Sequence, residues 1–212
     1  FLKTKGTQFV GGSALSLDTY SLESYKKVFD GMKTPIINTF TYGLIAIIII
    51  IIVGMLGAYV TVRKRNVFTN VLDSVTMLPY IIPGSVLGIT LLVSFSRKPF
   101  VLSGTAIIII LAFFIRRLPY TLRSSAAILY QLSPSVDEAS ISLGASPIKT
   151  FFKVTTRMML PGVFAGAIMS WITVITELSA SVMLYVTKTR TLSVAIFQEV
   201  LRASYGTAAA LS

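Results

Sequence analysis

From Thr34 to Val62 the chain carries no charged residue, and within that stretch Ile47–Ile52 is an unbroken run of isoleucine. The stretch exceeds the roughly 20 residues that an α-helix needs to cross a bilayer, so it has length to tilt or protrude. Isoleucine is a poor helix former in water. In lipid the backbone has only itself to bond to, and the helix wins. Asn38 is placed to cap the start, and Arg63-Lys64-Arg65 close the stretch with charge. Such a segment commits the chain to an all-α, polytopic membrane helix bundle.

Further apolar stretches extend that reading. Ser74–Ser96 is uncharged and carries Pro79, Pro83, Gly84 and Gly88. Its two prolines remove two backbone donors and bend the helix. The bend is either a packing kink or part of the lining of a substrate path, because broken backbone at membrane depth is tolerated only beside protein or a wet cavity. Pro99–Ile115 is uncharged but short. Arg116-Arg117 follow, then Leu118-Pro119-Tyr120 and an apolar Ser125–Leu132. Either the span ends at Arg116, or one long kinked helix runs from Gly104 to Leu132. The two arginines either snorkel to the interface or form a basic lining for an anionic substrate or an anion-chelated metal. Met158–Thr176 is uncharged, Glu177 interrupts it, and Leu178–Thr187 continues apolar. A lone carboxylate at mid-bilayer costs on the order of 3 kcal/mol, so Glu177 is expected to face the bundle interior with Arg116 or Arg117 as its partner. That pair either fixes helix packing or belongs to a pathway.

The remaining segments are more polar. Residues 1–34 hold Gly6, Gly11-Gly12 and a Lys-rich tail. They read as a loop leading into the first span, in preference to a short amphipathic helix with Leu22, Tyr25 and Phe29 on one face. Lys188–Tyr205 reads as a loop holding a short amphipathic helix, Ser193–Arg202, with Val194, Phe197, Val200 and Leu201 apolar. Gly206–Ser212 opens another small-residue apolar segment. The expected layout is four full spans and the start of a truncated fifth. The chain does not begin with Met, so it is expected to be a fragment of something longer.

Composition narrows the function. Charged residues make up 13% of the chain, against about a quarter in a soluble domain. The net charge of +11 fits loops beside anionic lipid and a soluble partner. It does not indicate nucleic acid, since no aromatic and basic residues interleave on a polar surface. With no cysteine and no histidine, disulfides, Cys or His metal ligation and histidine chemistry are excluded on this chain. A nucleotide-hydrolysing subunit needs a phosphate loop. Gly144–Thr150 is the nearest stretch, but it lacks the second Gly, and Pro147 removes an amide that the cradle would use. Asp137-Glu138 are adjacent and point different ways on a helix. No Gly-x-Ser-x-Gly elbow is present. No active site, metal or cofactor is expected on this chain.

The longest polar interruption, Ser133–Gly162, has its own organisation. Asp137–Leu143 reads as one short helix and Gly144 breaks it. Ala145-Ser146-Pro147 starts a second, with Ser146 as N-cap and Pro147 at the first helical position. In the second helix Ile148, Phe151, Phe152 and Thr155 share a face, with Lys149, Lys153 and Arg157 mostly off it. The chain turns apolar again at Pro161-Gly162. A helix-turn-helix lying across the end of a membrane bundle suits contact with a soluble partner.

Glu138-Ala139-Ser140, Gly144-Ala145-Ser146-Pro147 and Phe151–Thr155 together resemble the EAA loop of binding-protein-dependent ABC importer permeases. That family places Glu-Ala-Ala, a Gly four residues after the last Ala, and an Ile or Val ten residues later. Glu138, Ala139, Gly144 and Val154 fall on those positions. Ser140 replaces the third residue. Thr156-Arg157 stands where the family has Leu-Pro, which occurs here at Leu160-Pro161, so the helix after the loop is expected to run longer. The resemblance covers nearly all of residues 35–212. Leu78-Pro79-Tyr80, Pro83-Gly84, Arg117-Leu118-Pro119-Tyr120 and Glu177-Leu178-Ser179 are similar to the ferric-iron type.

The resemblance implies the rest. It favours the single long helix through Arg116 and Arg117. Lys and Arg counts in alternate loops nearly tie, so the resemblance sets the orientation: loop 133–161 faces the cytoplasm, 1–34 is an extracytoplasmic leader, and 35–212 is a permease domain in a bacterial inner membrane. Glu138, Ala139, Gly144, Ala145, Ser146 and Pro147 are implied to dock on a cytoplasmic ATPase, which carries the ATP and Mg. Glu177, Arg116, Arg117, Pro79 and Pro83 are the expected pathway residues. Other implied partners are an extracytoplasmic substrate-binding protein and a second permease half or copy. The polar leader leans toward the second half of a fused permease. Ferric iron is the expected cargo. The rivals are an ion- or proton-coupled secondary transporter using Glu177, a membrane enzyme, and a structural anchor.

Overall fold

The structure is a computed structural model and describes residues 22–212, among which every regular element is helical. In order they are α1 (Glu23–Gly31), α2 (Lys33–Arg63), α3 (Val67–Ile81), α4 (Gly84–Ser94), α5 (Ala106–Gln131), α6 (Ser135–Ser142) and α7 (Pro147–Thr150). A π turn (Phe151–Thr155) then leads into α8 (Thr156–Ile175), followed by α9 (Ser181–Leu184), a 3₁₀ turn (Thr187–Thr189), α10 (Leu192–Leu201) and α11 (Tyr205–Leu211).

The centre of the bundle is α2, α5 and α8. Their contacts follow membrane logic, in which small residues let backbones approach and large aliphatic ones face lipid. On α2, Gly43, Ala46, Gly54 and Ala58 are buried, while Leu44, Ile45, Ile48 and Ile52 are exposed. On α8, a Cβ at position 166 would lie 2.5 Å from the Thr121 Cα, so α5 and α8 touch backbone to backbone there. Thr121 and Ser170 join them through a hydroxyl pair at 3.2 Å, and the Ser170 hydroxyl donates to the Arg117 carbonyl at 3.1 Å. Ile108, Ile109 and Phe113 of α5 close one end of the core against Tyr42, Leu87, Val174 and Leu184.

Lys33–Arg63 and Pro147–Ile175 are long and apolar enough to cross a membrane. A third span exists if α3 and α4, bent by 108°, count as one. α5 has the length, 26 residues, but Arg116, Arg117 and Arg123 give it more charge than a simple span. Its bounds match the single long helix, with Pro119 accommodated inside.

Several elements differ from the sequence expectation. Residues 23–31 are helix rather than loop, and the buried residue is Val28, packed with Ala195 and Leu211. Leu22 and Phe29 are exposed. Tertiary contact overrides the local pattern there; the rest of the leader, 1–21, lies outside the described residues. Asn38 is not a cap: α2 starts earlier, and the Asn38 side-chain amide donates to the carbonyls of Lys188 and Arg190, both at 2.9 Å. α3 begins at Val67, not Ser74. Asn66 and Thr69 form a reciprocal capping box there, a stronger start signal than the loss of charge. The two prolines do more than bend one helix. Pro79 sits inside α3, but Pro83 is extended, with φ −56° and ψ 138°, and separates α3 from α4.

The second elbow helix also differs. Pro147–Ile175 is continuous, so Pro161 lies within a helix instead of ending a loop. The π turn inserts a residue into the helical count. Thr150, Phe151 and Thr155 are buried while Ile148 and Phe152 are exposed, so the expected four-residue face is split. In α10 the buried positions are Val194, Ala195 and Glu199, and Leu201 is exposed.

Candidate functional site

The elbow is built by chain stereochemistry. At the end of α6 the Ala145 N–H donates to the Ser140 carbonyl at 3.2 Å and the Gly144 N–H donates to the Ile141 carbonyl at 2.9 Å. This is a Schellman ending, which needs a left-handed residue. Gly144 supplies it with φ +90°. Nothing lies within 4 Å of where its Cβ would be, so the backbone angle and not space selects glycine. Two residues on, the Ser146 hydroxyl accepts from the Lys149 N–H at 3.3 Å and Pro147 opens α7. Leu143 is 90% exposed and Ile148 73% exposed, one on each side of the turn. Glu138 and Ala139 are exposed on α6, which Leu143 caps.

The inner side of the elbow is tied down. The Ser140 and Thr150 hydroxyls meet at 2.9 Å. Asp137 lies 3.1 Å from Arg63 Nε and accepts from the Thr155 hydroxyl at 2.7 Å. Phe151 meets the Tyr59 ring edge-on at 4.7 Å. Sequence reasoning did not single out Asp137, Arg63 or Thr155 as a group, since they are far apart in the chain.

A second constellation lies where two helix breaks, after Pro83 and after α8, meet beside the arginines of α5. Glu177, 4% exposed, sits just past the end of α8. Its carboxylate pairs with Arg116 Nε at 3.1 Å and with Arg117 Nη2, and accepts from the Ala180 N–H at 3.2 Å. Arg117 also donates to the Thr173 carbonyl at 3.1 Å, and the Ser193 hydroxyl donates to the Ile175 carbonyl at 2.7 Å. Both carbonyls belong to the last turn of α8, where intrahelical donors run out. Gly84, the first residue of α4, lies against the Arg116 guanidinium and the Ser179 Cβ. The two arginines and one carboxylate leave one formal positive charge in a largely buried setting. Arg116, Arg117 and Glu177 are thus brought together; Pro83 is exposed and only its neighbour Gly84 lies against the cluster, and Pro79 lies a turn before the break. No group of His, Cys, Asp or Glu suited to a metal occurs among the described residues.

The helical bundle has the fold of an ABC importer membrane component. Over 90% of this chain and 76% of the other, it superposes with a TM-score of 0.74 and 13% identity on a chain of a bacterial ABC transporter involved in importing the acidic polysaccharide alginate. Residues 50–212 match the binding-protein-dependent transport system inner membrane components, and the chain belongs to that family. Among relatives, it is 34% identical over 196 residues to the ferric transport system permease protein FbpB of Actinobacillus pleuropneumoniae, covering 92% of this chain and 28% of that protein. It is 28% identical over 153 residues to the molybdate/tungstate transport system permease protein WtpB of Pyrococcus abyssi, covering 72% of this chain and 59% of that one. The chain therefore spans little more than a quarter of the length of its ferric-type relative.

Proposed function

We propose that this chain forms part of the membrane-spanning subunit of an ATP-driven importer, with the α6–Gly144–α7 elbow as the docking element for a cytoplasmic ATPase. The observation that carries this is the two-sided elbow: Leu143, Ile148 and Glu138 face outward while Asp137, Thr150 and Thr155 are turned toward the bundle. A groove on the ATPase would take the apolar pair, and a basic residue there would meet Glu138. ATP and Mg would reside on that partner, and an extracytoplasmic binding protein would deliver the cargo. Ferric iron is the cargo we favour, on the ferric-type relative and on the surplus positive charge at Arg116 and Arg117, which suits an anion accompanying the metal.

The test is co-purification of the full-length protein from its host in mild detergent, with Leu143→Asp and Ile148→Asp beside the wild type. An ATPase subunit should accompany the wild type and be lost from both variants, whose folding is unaffected because neither side chain is buried. An ATPase absent from the wild type would sink the reading. The rival, a carrier coupled to an ion through Glu177, then becomes the next assay. That rival is weakened by a carboxylate already engaged by two guanidinium groups and an amide.

A further inference from the structure

One carboxylate gathers the ends of the three central helices. Asp137 lies in the first turn of α6. One of its oxygens pairs with Arg63, the last residue of α2, at 3.1 Å. The other accepts from Thr155, in the turn that feeds α8, at 2.7 Å. Arg63 in turn donates through Nη2 to the carbonyl of Leu132, directly after α5, at 3.0 Å. The side chains of Arg63 and Asp137 are 12% and 15% exposed, so this pair is screened by solvent far less than a surface bridge. Successive helical residues point about 100° apart. Asp137 therefore reaches inward while its neighbour Glu138 is exposed.

We propose that Asp137 is a positioning residue that fastens the elbow to α2 and α8, so that α6 and the end of α2 move as one piece when the partner ATPase displaces α6. This rests on the coupling reading given above. Geometry supports it: the outward face of α6 is free to be gripped, and the inward face is joined by charge and hydrogen bond to the helices that must move. Neutralising Asp137 leaves α6 its Ser140–Thr150 bond and its chain connections, and leaves Arg63 without its anion.

This stretch of the chain has no cysteine; with any cysteine elsewhere in the permease and its ATPase replaced by serine, spin labels at Ser142→Cys and Lys64→Cys report the distance between α6 and the end of α2. The experiment uses the full-length permease with its ATPase in lipid nanodiscs, compared without nucleotide and with trapped ATP. In the otherwise native protein the distance is expected to stay fixed. In Asp137→Asn, with the ATPase still bound, it is expected to shift or broaden on adding ATP. Binding-protein-stimulated ATP hydrolysis should fall by about tenfold, in the range of typical coupling free energies. The reversed pair Arg63→Asp with Asp137→Arg should recover part of that loss relative to either single change, which a merely damaged fold would not do. If Asp137→Asn does not accumulate, Arg63→Gln removes the same pair from the other side and carries the same expectation. An unchanged distance and stimulation in the neutralised variant overturn the proposal, as do release of the ATPase or a reversed pair no better than the singles. A native complex that holds no ATPase overturns the coupling reading itself, and is seen before any variant is compared.

Discussion

The Arg116 guanidinium fills the space that a side chain at Gly84 would need. The break after Pro83 thus places the start of α4 directly against the charged layer of α5. Gly84→Ala should displace Arg116 and loosen its pairing with Glu177, at a cost of about 1–3 kcal/mol for overpacking. Thermal unfolding of the detergent-purified protein measures this. Truncating Arg116 to Ala in the same chain should relieve only part of the cost of the Gly84 substitution, because the Ser179 Cβ still lies 2.7 Å from where the new Cβ would sit.

Glu177 is the counter-ion of both arginines. Removing it as Glu177→Ala leaves two buried cations unpaired, and breaking a buried pair from one side costs about 3–5 kcal/mol. A sharp fall in folded yield and midpoint is expected. Glu177→Gln keeps an acceptor for the Ala180 amide and should lose less. Both variants lack the charge, so equal loss would mean that charge, and not the acceptor offered to Ala180, holds the cluster.

At Gly144 the constraint is angular. A β-branched residue such as Val at φ +90° is expected to cost about 1–2 kcal/mol, whereas Asn, which visits this region readily, should keep both the turn and ATPase binding. Open space around the position means that side-chain size alone should not matter. Comparing Gly144→Asn with Gly144→Val for ATPase retention separates angle from bulk.

The α5–α8 contact predicts sensitivity deep in the bundle. Gly166→Leu forces a side chain into the Thr121 backbone and should separate the helices, an overpacking change worth about 1–3 kcal/mol or more. The matching change on the lipid face, Ile168→Leu, should be silent, since Ile168 is exposed. Thermal midpoints of the two variants in the same detergent provide the comparison.

Much of this architecture was legible in the sequence, because lipid makes hydrophobic length and isolated charge decisive. The uncharged run before Arg63, the long helix through Arg116 and Arg117, the Glu177 pairing and the Gly144 turn with its Ser146 cap all stand as read. What was not legible depends on distant contacts. Asn38 bonds to carbonyls some 150 residues away, and no local rule separates that from capping. Val28 is buried by α10 and α11 residues, while Leu22 and Phe29, which fit the amphipathic pattern, are not. Asp137 and Glu138 read only as adjacent carboxylates that point different ways; the Asp137 partners Arg63 and Thr155 come together only in the folded bundle. The capping box at Asn66 and Thr69 is a local signal, but Asp73 separates it from the uncharged stretch that marks the span.

The π turn at Phe151–Thr155 makes the azimuth of the elbow a matter of counting. One surplus residue in a helix rotates everything before it by about 100° relative to everything after it. Deleting a single residue between Phe151 and Thr155 would restore ordinary helical winding. It would swing Pro147, and the turn before it, around the α8 axis by that angle. Substitutions can alter what the elbow presents, but its compass bearing on the bundle is set by chain length.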